Sequence, residues 1–253
     1  ASSDLSPTQA EFLTGRYHPR SGVYSTSTGG ERLDLDETTI ADFFKSAGYR
    51  TGAFGKWHNG KDMLDRSFAN GRAVYMGGMA NHADFAVQDL KDGELGKERD
   101  AGGFSSTVFT DEAIRYIQQA KGDKPFFLYV AFMAPPDPRN PPEKSRKMYY
   151  ENRPPLPANY LPQHPFQNAP QATSGRDEGL APWPRTREVI SDQLCEYYGL
   201  VTHLDEQVGR IMKVLEGSSH ADNTLVVYTA DHGLGMGSHG LLGKQNVYEQ
   251  SMQ

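Results

Sequence analysis

The stretch TVFTDEAIRYIQQAKGDKPFFLYVAF, starting at Thr107, restricts the possible folds more than any other part of the chain. Its apolar residues recur at helical spacing over roughly Asp111 to Ala120, a polar turn follows, and Phe126 to Phe132 is an unbroken apolar run. A strand without a polar face has to be covered on both sides, and a helix followed by such a strand is the order of an α/β protein. The same grammar recurs. TTIADFFKSAG, from Thr38 to Gly48, puts Ile40, Phe43, Phe44 and Ala47 at helical spacing with Gly48 as a stop. YRTGAFGKWHNG then reads as a short strand entering a glycine-bracketed loop that carries Lys56 and His58. The longest helical pattern, DQLCEYYGLVTHLDEQVGRIMKVLEG, aligns Leu204, Val208, Ile211, Met212 and Leu215 and ends at Gly217. After it, Thr224 to Thr229 predicts a buried strand whose end delivers Asp231 and His232 into a glycine-rich loop. Ligands of open α/β sheets collect at such strand ends.

The expected fold is therefore α/β, a mainly parallel central sheet flanked by helices, with Phe126 to Phe132 and Thr224 to Thr229 as neighbouring or near-neighbouring central strands. From Pro135 to Pro184 prolines crowd the chain and neither period persists, which predicts a long surface excursion within one domain over 1–253. The chain opens without Met and stops in mid-pattern, so a fragment, incomplete at both ends, is expected.

Charge and composition narrow the function. A net charge of −6 with no basic run excludes a phosphate-tracking surface, so nucleic acid is not an expected partner. No apolar run is long enough to span a membrane. The single cysteine, Cys195, lies in a helical pattern, so no internal disulfide forms and a structural thiol is expected. Oligomeric state leaves no mark.

The residues with chemical potential are few. A carboxylate and an imidazole at Asp231 and His232 suit a divalent cation, with Gly233 letting the backbone turn, although two ligands alone also read as a satisfied turn. Lys56 and His58 stand two apart in GKWHNG and project to one side of an extended segment, where they could grip an anion together; a solvated pair around a buried Trp57 is the plainer reading. Lys244 and His239 are unremarkable in isolation. In LSPTQAEFLTGRYHPRSGV, Pro7 marks a helix start whose N-terminal amides would favour an anion or a nucleophile preceding them.

Together these pieces resemble the formylglycine-dependent sulfatases of the alkaline phosphatase superfamily. LSPTQAEFLTGR is similar to the family signature of Cys or Ser, any residue, Pro, Ser or similar, Arg, three residues and Leu-Thr-Gly-Arg. GYRTGAFGKWHNG resembles its second motif, APPDP its Ala-Pro-His-x-Pro, and ADHG and GK its late metal and sulfate motifs. The resemblance implies hydrolysis of sulfuric esters: a formylglycine hydrate attacks sulfur while calcium and basic side chains neutralise the sulfate oxygens. It makes Asp231 and His232 metal ligands, Lys56 and His58 the grip on sulfate and formylglycine, and Lys244 a contact to a sulfate oxygen. A sulfate ester, other anionic small molecule or glycan is the implied partner, and a secreted, periplasmic or lysosomal setting the implied location.

The departures are as informative. Leu5 stands at the nucleophile position, Gln9 replaces the signature arginine, and Pro136 replaces the histidine expected to protonate the leaving oxygen. The paired aspartates that complete the family's calcium shell lie upstream of the signature, and this chain has no such segment. Ser6 is one residue out of register and is expected to point away, while Thr8 reads as a helix cap. The expectation is a sulfatase-like domain whose hydrolysis is silenced, with a non-catalytic binder of sulfated or other anions as the alternative and a phosphoesterase as a third reading.

Overall fold

The computed structural model describes residues 5–24, 32–120, 124–135, 137–166 and 175–252. Helix α1 (Leu5–Thr14) is followed by a 3-10 turn (His18–Arg20), then α2 (Ile40–Ser46), β1 (Arg50–Lys56), α3 (Lys61–Ser67) and β2 (Asn70–Tyr75). Three short strands follow, β3 (Ala86–Lys91), β4 (Glu94–Leu95) and β5 (Arg99–Asp100), then α4 (Ser105–Gln118), β6 (Phe126–Ala131), α5 (Glu143–Glu151), α6 (Arg187–Glu216) and α7 (Glu249–Met252). The sheet order is β4-β3-β2-β1-β6, with β5 pairing β3. β1 is parallel to both β2 and β6, and the additions around β3 are antiparallel, so the sheet is mixed with a parallel centre.

Each layer follows from the residues. α2 starts at Thr39, whose side chain accepts the Asp42 N–H while the Asp42 carboxylate accepts the Thr39 N–H, a reciprocal capping box. One sheet face buries Ala53, Trp57, Val74 and Leu90 against Ala10 and Leu13 of α1, Ala41 of α2, and Met63 and Leu64 of α3. The other face packs Ala73, Val87 and Phe85 on Phe109 of α4, and α6 packs on α4 and α5. A third apolar cluster joins Ile190 and Leu194 of α6 to Met236 and Leu242 of the late loop. Cys195 is buried, and its thiol donates to the Tyr149 carbonyl at 3.2 Å, as befits a structural residue.

Several expectations change. The helix before β6 starts at Ser105, six residues earlier than its apolar pattern, because buried Ser105, Ser106 and Thr110 extend it without adding hydrophobicity. On α2, Phe43 is 65% exposed and Ala47 lies beyond the helix, while Phe44 stacks on Phe127 with centroids 4.9 Å apart. The Pro135 to Pro184 stretch is not merely a surface excursion: it contributes α5, a 3-10 turn at Arg176–Leu180, and the buried side chains of Asp137, His164, Asp177 and Glu178.

The largest correction concerns the two strands expected at the sheet centre. Phe126 to Ala131 is a strand, but it ends the sheet and every residue in it is only half-buried. Thr224 to Thr229 belongs to no strand, and Leu225, Val226, Val227 and Tyr228 are 89, 49, 66 and 76% exposed. Before the segment, the His220 ring meets Phe126 of β6 at 5.3 Å, and after it the Asp231 charge raises the pKa of the Tyr129 phenol. A strand exists only through its ladder; β6 pairs with β1 on one side, and among the described residues no strand pairs with Thr224 to Thr229. An unpaired apolar run of this kind templates association. We expect this chain to self-associate, and Leu225→Lys together with Val227→Lys to shift it toward monomer in size-exclusion chromatography with light scattering. Unchanged association would place the adhesive surface elsewhere.

Candidate active site

The site grows from the C-terminal end of β1. Gly55 adopts φ +88°, and a side chain there would drive a Cβ to 2.1 Å from the Ala131 carbonyl oxygen, so only glycine permits the close pairing with β6. The β1–β2 register slips between Phe54 and Gly55, a bulge that re-aims the residues after it. Trp57 then enters the core at 1% exposure, edge-on to Phe68 and Tyr129, and its indole N–H donates to the Gly60 carbonyl at 2.7 Å.

Lys56 and His58 flank this anchor and face one place. The Lys56 ammonium donates to the Gly78 carbonyl at 2.5 Å, and an ideal Cβ on Gly78 would lie 3.6 Å from His58 Nε2. The expected same-side projection and the buried Trp57 anchor therefore coexist. Lys56 is itself buried at 7% exposure, which makes it a fixed cation and no solvated surface lysine.

α1 meets this corner end-on. The helix begins at Leu5, so the position that the resemblance gives to the nucleophile lies in its first turn. Ser6 contradicts the expectation that it points away: its hydroxyl lies 2.5 Å from His58 Nδ1, its carbonyl accepts from the Asn59 side-chain amide at 3.0 Å, and it is fully buried. At a helix start successive side chains diverge by about 100°, so one step of register moves Ser6 onto the neighbouring strand end. Thr8 lies within α1 and is no N-cap. Gln9 donates to the Tyr129 hydroxyl at 3.2 Å; burial pushes that phenol's pKa up, the Gln9 hydrogen bond pulls it down, and Asp231 raises it again. Gln9 thus ties α1 to β6 near Asp231.

Asp231 and His232 lie in the loop after the exposed segment. The Asp231 carboxylate accepts its neighbour's N–H at 3.0 Å, and its other oxygen stands 3.3 Å from His232 Nε2, so the side chains converge. Asp231 is part-exposed and His232 buried, its side chain 3% exposed. Calcium takes about six to eight oxygen ligands, whereas among the described residues no group of three or more His, Cys, Asp or Glu side chains gathers. These two donors do not fill a calcium shell.

From Gly235 to Gly243 the loop doubles back, with Gly235 N–H on the Gly243 carbonyl at 2.8 Å and Gly237 N–H on Leu241 at 2.7 Å. Lys244, 6% exposed, follows directly on the Gly243 end of this doubled-back loop. Among the described residues no hydrogen bond or ion pair joins Lys244 to the Lys56 corner. His239, at φ +54°, stacks on Tyr248 at 3.9 Å and faces Asn159 at 3.1 Å. Pro136 lies outside the described residues. Sequence reasoning missed Asn59, Tyr129, Glu178 and Arg185, because polar residues that act through burial have no periodic signature.

A Lys-x-His strand end, a helix N-terminus pinned to its histidine, and a late Asp-His loop returning to a lysine can be compared with known proteins. The chain is 28% identical over 251 residues to the uncharacterized sulfatase YdeN of Escherichia coli, covering 90% of this chain and 38% of that protein. It is 26% identical over 254 residues to an ulvan-active sulfatase of Formosa agariphila, covering 98% and 45%. The chain thus spans less than half the length of these relatives. A solved structure of a protein with its substrate D-glucosamine-2-N,6-O-disulfate superposes with a TM-score of 0.77 at 21% identity, covering 98% of this chain and 60% of that one. No described helix is long and apolar enough to cross a membrane. The family described as Sulfatase matches residues 6–253, and the chain belongs to the sulfatase family.

Proposed function

We propose that this sulfatase-family hydrolase domain holds a sulfate ester through Lys56, His58 and Lys244 but does not hydrolyse it. The observation that carries the reading is the convergence of the Lys56 ammonium and the His58 ring on Gly78, beside the start of α1. A buried ammonium next to an imidazole favours a compact anion. Hydrolysis needs an attacking group as well, and the aliphatic Leu5 has none. Ser6 does not replace it: its hydroxyl is engaged by His58 Nδ1 and it has no exposed surface, which also disfavours a phosphoesterase using this serine. With Ser6 on Nδ1, the imidazole turns Nε2 toward Gly78.

The ligand class follows from the fixed cations and from the family. One relative is named for ulvan and one structural neighbour holds a disulfated glucosamine; for this chain a sulfated glycan is the proposed ligand. Calcium is proposed only as a weak ligand of Asp231 and His232, and no step depends on it.

The test is a titration with inorganic sulfate and a sulfated monosaccharide, followed by calorimetry, beside Lys56→Ala and His58→Ala. Binding without turnover, weakened about tenfold or more by Lys56→Ala, is the expected result. Equal affinity in the Lys56→Ala variant would remove the reading.

A further inference from the structure

The Pro-rich stretch sends one side chain into the late loop. Glu178, in the 3-10 turn Arg176–Leu180, is 5% exposed. Its carboxylate accepts the Leu242 N–H at 3.1 Å and the Gly243 N–H at 2.8 Å, the two amides immediately before Lys244. The other side of the carboxylate takes the Arg185 guanidinium at 2.8 Å, and that guanidinium also donates to the Glu178 carbonyl at 2.8 Å. Arg185 is fully buried and lies 4.1 Å over the Trp183 ring. Gly243 leaves no slack: a Cβ there would meet Asp177 Cβ at 2.8 Å and Glu178 Oε1 at 3.1 Å. Burial pushes the Glu178 carboxyl's pKa up, while the Gly243 and Leu242 N–H groups and the Arg185 charge pull it down and favour the ionised form.

We infer that Glu178 is a positioning residue that sets the Lys244 ammonium for its anion by gripping the two peptide groups before it. The inference rests on the proposed role of Lys244 in holding sulfate. The hairpin from Gly235 to Gly243 fixes one side of the loop through its own backbone, and Glu178 fixes the other from a segment 64 residues away. An aliphatic side chain at 178 would leave two buried N–H groups without an acceptor and the buried guanidinium with only the backbone carbonyl of residue 178.

The experiment is a titration of the full chain with inorganic sulfate in the native form, Lys244→Ala, Glu178→Ala, Glu178→Gln and the Lys244→Ala/Glu178→Ala double variant. Lys244→Ala and Glu178→Ala are each expected to weaken sulfate about tenfold, while the double variant binds no more weakly than Lys244→Ala alone. Glu178→Gln keeps one carbonyl acceptor for the Gly243 N–H and should recover part of the loss. If Glu178→Ala does not fold, Glu178→Gln carries the comparison with hydrogen exchange of the Leu242 and Gly243 amides, expected slow in the native chain and faster in the variant. Equal losses with and without Lys244, or unprotected amides in the native chain, would overturn the inference and leave the proposed function standing. No effect of Lys244→Ala, or no sulfate binding by the native chain, would overturn the role of Lys244 and this inference with it.

Discussion

Coexpressed with a formylglycine-generating enzyme and supplied with calcium, this chain is expected to hydrolyse an aryl sulfate at least about 10³-fold more slowly than an active family member assayed beside it. The resemblance puts Leu5 at the nucleophile position, and a leucine side chain has no group that can be oxidised to an aldehyde. Polarising a sulfate with a cation does not provide an attacking atom. Leu5→Cys alone is expected to stay silent too. Gln9 is tied to Tyr129 and adds no charge, Pro136 cannot protonate a leaving oxygen, and Asp231 and His232 supply two donors toward a cation. These defects act on one unit and their effects do not add. Calcium-dependent turnover by the unmodified chain, lost on Ser6→Ala, would show that the Ser6 hydroxyl leaves His58 Nδ1 and serves as the nucleophile. Turnover by Leu5→Cys alone would show that the remaining departures are tolerated.

Trp57→Ala is expected to lower the unfolding free energy by about 3–5 kcal/mol, in the range for deleting a buried large aromatic. Trp57 is 1% exposed, contacts the Phe68 and Tyr129 rings at centroid distances of 5.8 and 6.2 Å, and belongs to the main apolar cluster. Its loss should also cost sulfate affinity, because Lys56 and His58 are its chain neighbours and inherit its position. Trp57→Phe should retain most of the packing and lose the 2.7 Å indole bond to Gly60, a cost of about 1 kcal/mol plus the partner left unmade. Urea unfolding followed by circular dichroism reads the first effect and the sulfate titration the second. A Trp57→Ala chain of native stability would mean that the cluster collapses onto the void, and full affinity in that variant would uncouple the anchor from the two basic residues.

The parts legible in advance were those that nearest-neighbour chemistry decides. The 3.6 period located α6, where Leu204 and Leu215 are buried and Gly217 marks the end, while its start at Arg187 lies ahead of the stretch that carried the pattern. The β1 strand and the loop with His58 followed from the glycine-bracketed stretch YRTGAFGKWHNG, although Lys56, read as part of the loop, is the last residue of the strand. The family was legible because several motifs occur in order, each weak alone. Tertiary structure decided the rest. Whether Thr224 to Thr229 is a strand depends on a neighbour to pair with, and its apolar side chains encode only a preference. Whether Ser6 faces the site depends on how α1 meets β1, which no residue count specifies. The burial of Glu178 and Arg185 is likewise invisible in sequence, since a charged pair reads as solvent-facing until a distant loop closes over it. Periodicity and motif order are local and one-dimensional, so this sequence determined most of its elements and its family. Ladder partners, helix approach and the burial of charge are sums over residues far apart in the chain, and only the folded structure evaluates them.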